Sequence, residues 1–169
     1  MRIMFKAGDI VDEPVEGLVC TGNVLLNMSG GVNGELLLRG GDNMQQELHE
    51  YLRKSNRRFV EPGFAMEIGP SPTHFKCIVY TVAVDGFYDS SRLLVEKALG
   101  NALTMLANKH CATVAVPALA TGYGHLKLAD FVAAFKDCML RPWPFAEVRV
   151  VLRHDHDVVE ALEEYGKSD

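Results

Sequence analysis

Two short segments constrain the fold most. Lys76 to Val84 and Cys111 to Pro117 are almost wholly apolar and rich in β-branched residues. A strand with one wet face alternates polar and apolar residues; these do not, so they read as strands buried on both faces, as in a sheet covered by helices on each side. The segments around them fit. Leu94, Ala98, Ala102 and Met105 keep helical spacing on a stretch that Asp89 opens and that runs to about Asn108. Leu128, Val132, Phe135 and Met139 keep it on the next. Arg2 to Lys6, Gly17 to Gly22, Phe64 to Ile68 and Glu147 to Arg153 read as further strands. Helices are expected over Glu35 to Arg39, from an Asp42 cap to about Arg57 (Met44, Leu48, Tyr51 and Leu52 on one side), and after an Asp155 cap with Val158, Leu162 and Tyr165. Gly41 and Pro70 read as element boundaries, and the residues after Tyr165 as a frayed end. Alternating strands and helices predict an α/β class.

With 169 residues and no linker or repeat, the chain reads as one domain over 1–169. No apolar run approaches the roughly 20 residues that span a bilayer, and the amino-terminal apolar stretch is too brief for a secretory leader. A cytoplasmic location and no membrane partner are expected. The net charge of −5 does not favour a nucleic-acid partner held by ion pairs. A small anion is still compatible with it, because backbone amides bind phosphate without side-chain charge. Cys20, Cys77, Cys111 and Cys138 lack Cys-x-x-Cys spacing and sit in apolar segments, so they read as reduced core thiols.

Two glycine-bearing loops leave strands and enter helices: Asn23 to Gly34 and Pro117 to His125. Glycine allows close backbone approach to a ligand. In an open α/β sheet, ligands sit beyond the carboxyl ends of the strands. Two such loops face to face could grip a diphosphate, although each alone could be a simple turn. No Gly-x-x-x-x-Gly-Lys-Ser/Thr and no Gly-x-Gly-x-x-Gly after the first strand is present, which argues against a nucleoside-triphosphate P-loop and a dinucleotide site.

In order and spacing, five pieces resemble the macrodomain family: Gly8-Asp9-Ile10; Val19-Cys-Thr-Gly-Asn23; Gly30-Gly31-Val32-Asn33-Gly34; the step from Asn23 to Val32; and Pro117-Ala-Leu-Ala-Thr-Gly-Tyr-Gly124. The resemblance implies a three-layer α/β/α sandwich with a mixed, mostly parallel sheet, and binding of ADP-ribose, a derivative of it, or ADP-ribosylated protein, with no cofactor and no metal. Asp9 would accept from the adenine amino group, with Ile10's amide beside it. Asn23 would meet the distal ribose, near Cys20. Gly30, Gly31 and Val32 would give amides to one phosphate. Ala120, Thr121, Gly122, Tyr123 and Gly124 would hold the other, with Tyr123 beside the ribose. Plainer readings stand next to these: a turn at Asp9, a loop-stabilising amide at Asn23, a surface aromatic at Tyr123.

Some relatives hydrolyse ADP-ribose esters or deacetylate O-acetyl-ADP-ribose, using a loop aspartate where this chain has Asn33. An amide cannot accept a proton near neutral pH. Asn23 and Asn33 remain catalytic candidates, Asn33 through orienting water; a substrate phosphate could activate that water, Glu35 or Asp42 could supply a carboxylate, and Cys20 reads as a buried thiol rather than a nucleophile. Binding with weak or no turnover is the expectation; a hydrolase, or an interaction module with a vestigial cleft, are the alternatives. His154-Asp155-His156-Asp157 reads as a helix start rather than a metal run, Arg53, Lys54, Arg57 and Arg58 as a solvated helix end, and Trp143 as an indole tucked on the core.

Overall fold

The computed structural model describes residues 1–40, 42–69 and 73–167. Among these residues, six strands form one sheet: β1 (Arg2–Ala7), β2 (Gly17–Gly22), β3 (Ala65–Ile68), β4 (Cys77–Val82), β5 (Thr113–Pro117) and β6 (Glu147–Leu152). Their order is β1-β6-β5-β2-β4-β3. Every pairing is parallel except β3 with β4. Five helices among the described residues accompany them: α1 (Gly31–Gly40), α2 (Asn43–Lys54), α3 (Arg92–Asn108), α4 (Leu128–Met139) and α5 (Asp155–Gly166). A 3-10 turn spans Ile10–Asp12.

Strand periodicity divides the core in two. Val19, Cys77, Val79, Val114 and Val116 face the layer of α3, α4 and α5. The residues between them, Leu18, Cys20, Ile78, Tyr80 and Ala115, face the layer of α1 and α2. Each β4 residue is buried, as its apolar composition requires. The α/β/α sandwich with a mixed, mostly parallel sheet is thus observed. The four cysteines are free and buried. Trp143 stacks on Phe145 and donates its indole N–H to the Cys138 carbonyl.

Several local expectations need correction. Helix α1 begins at Gly31 rather than Glu35, so the glycines of the first loop form its opening turn. Helix α2 stops at Lys54, and Asp42 precedes it in helical conformation without a side-chain capping bond. Ser91, not Asp89, caps α3 by accepting from the Leu94 amide; an extended residue directly before the first turn reaches the free amides, and Asp89 lies too far back. Asp155 is the first residue of α5 rather than its cap, and Ala161 is its buried residue while Leu162 is half exposed. Gly41, Pro70 and the last two residues, read from the sequence as boundaries and a frayed end, lie outside the described residues. No helix among the described residues is long and apolar enough to cross a membrane.

Candidate functional site

Because β1, β6, β5, β2 and β4 are parallel, their carboxyl ends open on one edge of the sheet. Five segments emerge there side by side: Gly8-Asp9 after β1, Arg153 after β6, 118–127 after β5, 23–30 after β2, and 83–91 after β4. The topology alone therefore gathers residues that the sequence scatters from position 8 to position 153.

The two glycine loops touch. A β-carbon placed on Gly30 would lie 2.9 Å from the Tyr123 hydroxyl oxygen. Gly30 and Gly31 both have positive φ (64° and 51°), a conformation open to glycine at little cost. They turn the chain into α1, whose first amides have no partner within the helix. In the second loop, the amides of Gly122, Tyr123 and Gly124 face no protein acceptor among the described residues. Thr121 is different: its amide and its hydroxyl both donate to the Ala118 carbonyl, so it shapes the loop rather than offering donors. Ala120 is buried with φ 63°, and Leu26 in the first loop with φ 57°. Each left-handed non-glycine residue costs on the order of 1–2 kcal/mol, a strain held only where surrounding contacts dictate it.

Asp9 is partly exposed. Its carboxylate accepts from the Val11 amide at 3.1 Å and lies 3.5 Å from the Arg39 guanidinium, which also pairs with Asp12. One edge of the carboxylate thus caps the 3-10 turn. Ile10, next to it, is buried. Asn23 anchors its own loop: its side-chain oxygen accepts from the Leu25 and Asn27 amides, so the loop-stabilising reading holds for that oxygen. Asn33 lies in the first turn of α1 and is 3% exposed. Its side-chain amide donates to the Thr21 carbonyl at 2.9 Å, and its Oδ1 has no partner among the described residues. Tyr123 is 71% exposed and near Tyr88, ring centroids 6.5 Å apart.

Cys20 is not brought to the cleft. It is fully enclosed between β2 and the α1–α2 layer, and burial pushes its thiol far above the ordinary thiol range. Neither ligand contact nor nucleophilic chemistry fits it. Glu35 and Asp42 are exposed. His154 and His156 are exposed and stacked on each other, and no group of metal-binding side chains occurs among the described residues.

Sequence reasoning missed two residues here. Tyr80 is fully buried in β4, and its hydroxyl accepts from the Asn23 amide at 3.0 Å, locking the start of the first loop to the sheet. Arg153 reaches from β6 to Gly31, with Nη2 3.3 Å from where a β-carbon on that glycine would lie. Neither belongs to a local motif; both are assembled across strands.

The Macro domain model matches residues 19–135, which include both glycine loops. The chain belongs to the macro domain family. Among its relatives, a Thermotoga maritima protein is 29% identical over 72% of this chain, which spans only 20% of that longer protein. A Cronobacter sakazakii protein named O-acetyl-ADP-ribose deacetylase is 29% identical over 80% of this chain and 76% of its own length. Among solved structures, an Oceanobacillus iheyensis macrodomain mutant with ADPR superposes with a TM-score of 0.84 at 20% identity, covering 95% of this chain and 89% of the other. At that identity the likeness speaks for the macrodomain fold. The mixed sheet and its two covering layers agree with it.

Proposed function

We propose that this macrodomain, a single domain, binds ADP-ribose or a derivative of it, free or attached to protein, and turns it over weakly or not at all. The observation that carries the reading is the meeting of Gly30 with Tyr123, which brings two runs of unpaired amides together. Main-chain N–H groups held in that way suit a pyrophosphate, whose oxygens accept from many directions. Asp9, at the β1 end, keeps its partly exposed carboxylate available to an amino group of a base. The Oceanobacillus macrodomain mutant, solved with ADPR, supports the same ligand.

Calorimetry with ADP-ribose, ADP, AMP and GDP-ribose tests this. ADP-ribose and ADP should bind more tightly than AMP, and GDP-ribose should bind poorly, because a guanine carbonyl would face the Asp9 carboxylate. Asp9→Ala should cost about tenfold for ADP-ribose, the scale of one hydrogen bond to a charged group, and should erase the preference for adenine. Absence of binding by the wild-type protein to ADP-ribose and to every other probe would favour the vestigial-cleft alternative.

Weak turnover follows from the side chains near the first loop. Asn33 is neutral, enclosed and tied to Thr21, so it cannot take a proton from water. Incubation with mono-ADP-ribosylated protein, or with O-acetyl-ADP-ribose, should release product no faster than the uncatalysed background. The Cronobacter relative's name gives the opposing reading its support. Rapid release that vanishes in Asn33→Ala or Glu35→Ala would establish a hydrolase and end the binding-only reading.

A further inference from the structure

We infer that Arg153 is a specificity-determining residue of the cleft, supplying a side-chain cation that answers the anionic part of the ligand. The inference rests on the proposed pyrophosphate site but adds to it, since that site is otherwise built of uncharged backbone. Arg153 follows β6, which lies between β1 and β5 in the sheet. It therefore stands between Asp9 and the second glycine loop, and its guanidinium extends to Gly31 in the opening turn of α1. Among the described residues it makes no ion pair and no side-chain hydrogen bond, although Arg39, the other arginine near this end, is occupied by Asp9 and Asp12. An unpaired guanidinium beside unpaired helix amides places two sets of donors together, with no acceptor among the described residues to meet them. The same turn carries Asn33 Oδ1, enclosed and without a partner among the described residues. The ligand that complements these donors presents a multiply charged anion: a diphosphate-bearing nucleotide rather than a bare nucleoside.

Arg153 also sets how the chain overcomes its own charge. The protein carries a net charge of −5, which opposes the approach of a dianion. A planar fork that meets two phosphate oxygens at once is a favourable local counterweight, and it is screened by salt where backbone amides are much less so.

The test is calorimetry on the full chain with Arg153→Gln and Arg153→Lys, each checked for unchanged melting temperature. The probes are ADP-ribose, ADP, adenosine and inorganic pyrophosphate, at low and high salt. Arg153→Gln should weaken ADP-ribose, ADP and pyrophosphate by about tenfold, leave adenosine unchanged, and flatten the salt dependence. Arg153→Lys should recover part of the loss. An equal loss for adenosine would put the guanidinium over the base and overturn the inference; no loss for any probe would leave it in solvent and overturn it as well. Pyrophosphate separates this inference from the reading beneath it. Wild-type protein that ignores ADP-ribose yet binds pyrophosphate in an Arg153-dependent way defeats the ADP-ribose assignment while the anion role stands. Wild-type protein that binds neither defeats both.

Discussion

Gly22→Ala is expected to cost about 4 kcal/mol of folding stability, a large part of the 5–15 kcal/mol typical of a whole domain. Gly22 is the last residue of β2, and a β-carbon there would fall 1.8 Å from the Tyr80 hydroxyl oxygen and 2.2 Å from the ring carbon bearing it. No atom can be accommodated at such distances, so the ring or the strand must move. The ring has nowhere to go. Tyr80 is fully buried against the α1–α2 layer, and its hydroxyl is fixed by the Asn23 amide and lies 3.3 Å from the Asn27 carbonyl. Overpacking costs about 1–3 kcal/mol, and breaking the bond to Asn23 orphans a buried N–H for about 1–3 kcal/mol more. Urea unfolding measures the sum. A variant within about 1 kcal/mol of wild type would show that Tyr80 has room to withdraw, and that it does not lock the first loop.

The strands and the broad layers were readable in the sequence because burial on both faces leaves a compositional mark: all six residues of β4 and the last four of β5 are buried. Helix boundaries were less readable. Gly31, Val32 and Asn33 look like loop by propensity, yet they form the first turn of α1 because positive φ at Gly30 and Gly31 lets the chain turn into the helix without steric cost. Caps failed for a similar reason: Asp42, Asp89 and Asp155 are all good caps in isolation, and which residue caps depends on one dihedral pair that tertiary packing sets. The candidate site divides the same way. Its glycine loops are local strings and could be found by inspection. Tyr80 and Arg153 act on the first of those loops from β4 and from the end of β6, at separations of tens to more than a hundred residues, and carry no local signature. Cys20 shows the converse: its place in a family-like string suggested the cleft, whereas the strand alternation that puts Val19 on one face puts Cys20 inside the other core.

Gly124→Ala is expected to remove most ADP-ribose binding while the protein remains folded. Gly124 is buried, and its φ is not the reason it must be glycine; space is. A β-carbon would lie 2.6 Å from the Ala120 carbonyl oxygen, 3.0 Å from Ala120 Cα and 2.7 Å from Val84 Cγ1. Two of those atoms are backbone, and Val84 belongs to the core, so none is the yielding tip of a flexible side chain. Relief must come from the loop itself. Ala120 is already in the left-handed region, and its carbonyl accepts from the Leu126 amide at 3.0 Å, the bond that closes the loop. Pushing residue 124 outward strains that bond and displaces the amides of Gly122, Tyr123 and Gly124 together, along with the Tyr123 ring that meets Gly30. Amides aimed at a phosphate lose value steeply with angle, and each such bond to a charged group is worth about 1.5–3 kcal/mol. An affinity loss between about tenfold and about hundredfold follows, against a stability loss of about 1–3 kcal/mol from overpacking. Gly122, two residues earlier in the same loop, supplies the contrast. Nothing lies within 4 Å of a β-carbon there, so Gly122→Ala should keep wild-type stability. Calorimetry and thermal melting on both variants separate shape from presence of the loop: if Gly124→Ala bound ADP-ribose as tightly as wild type, the second run of amides would not be part of the ligand's cradle, and the first loop would have to hold the diphosphate alone.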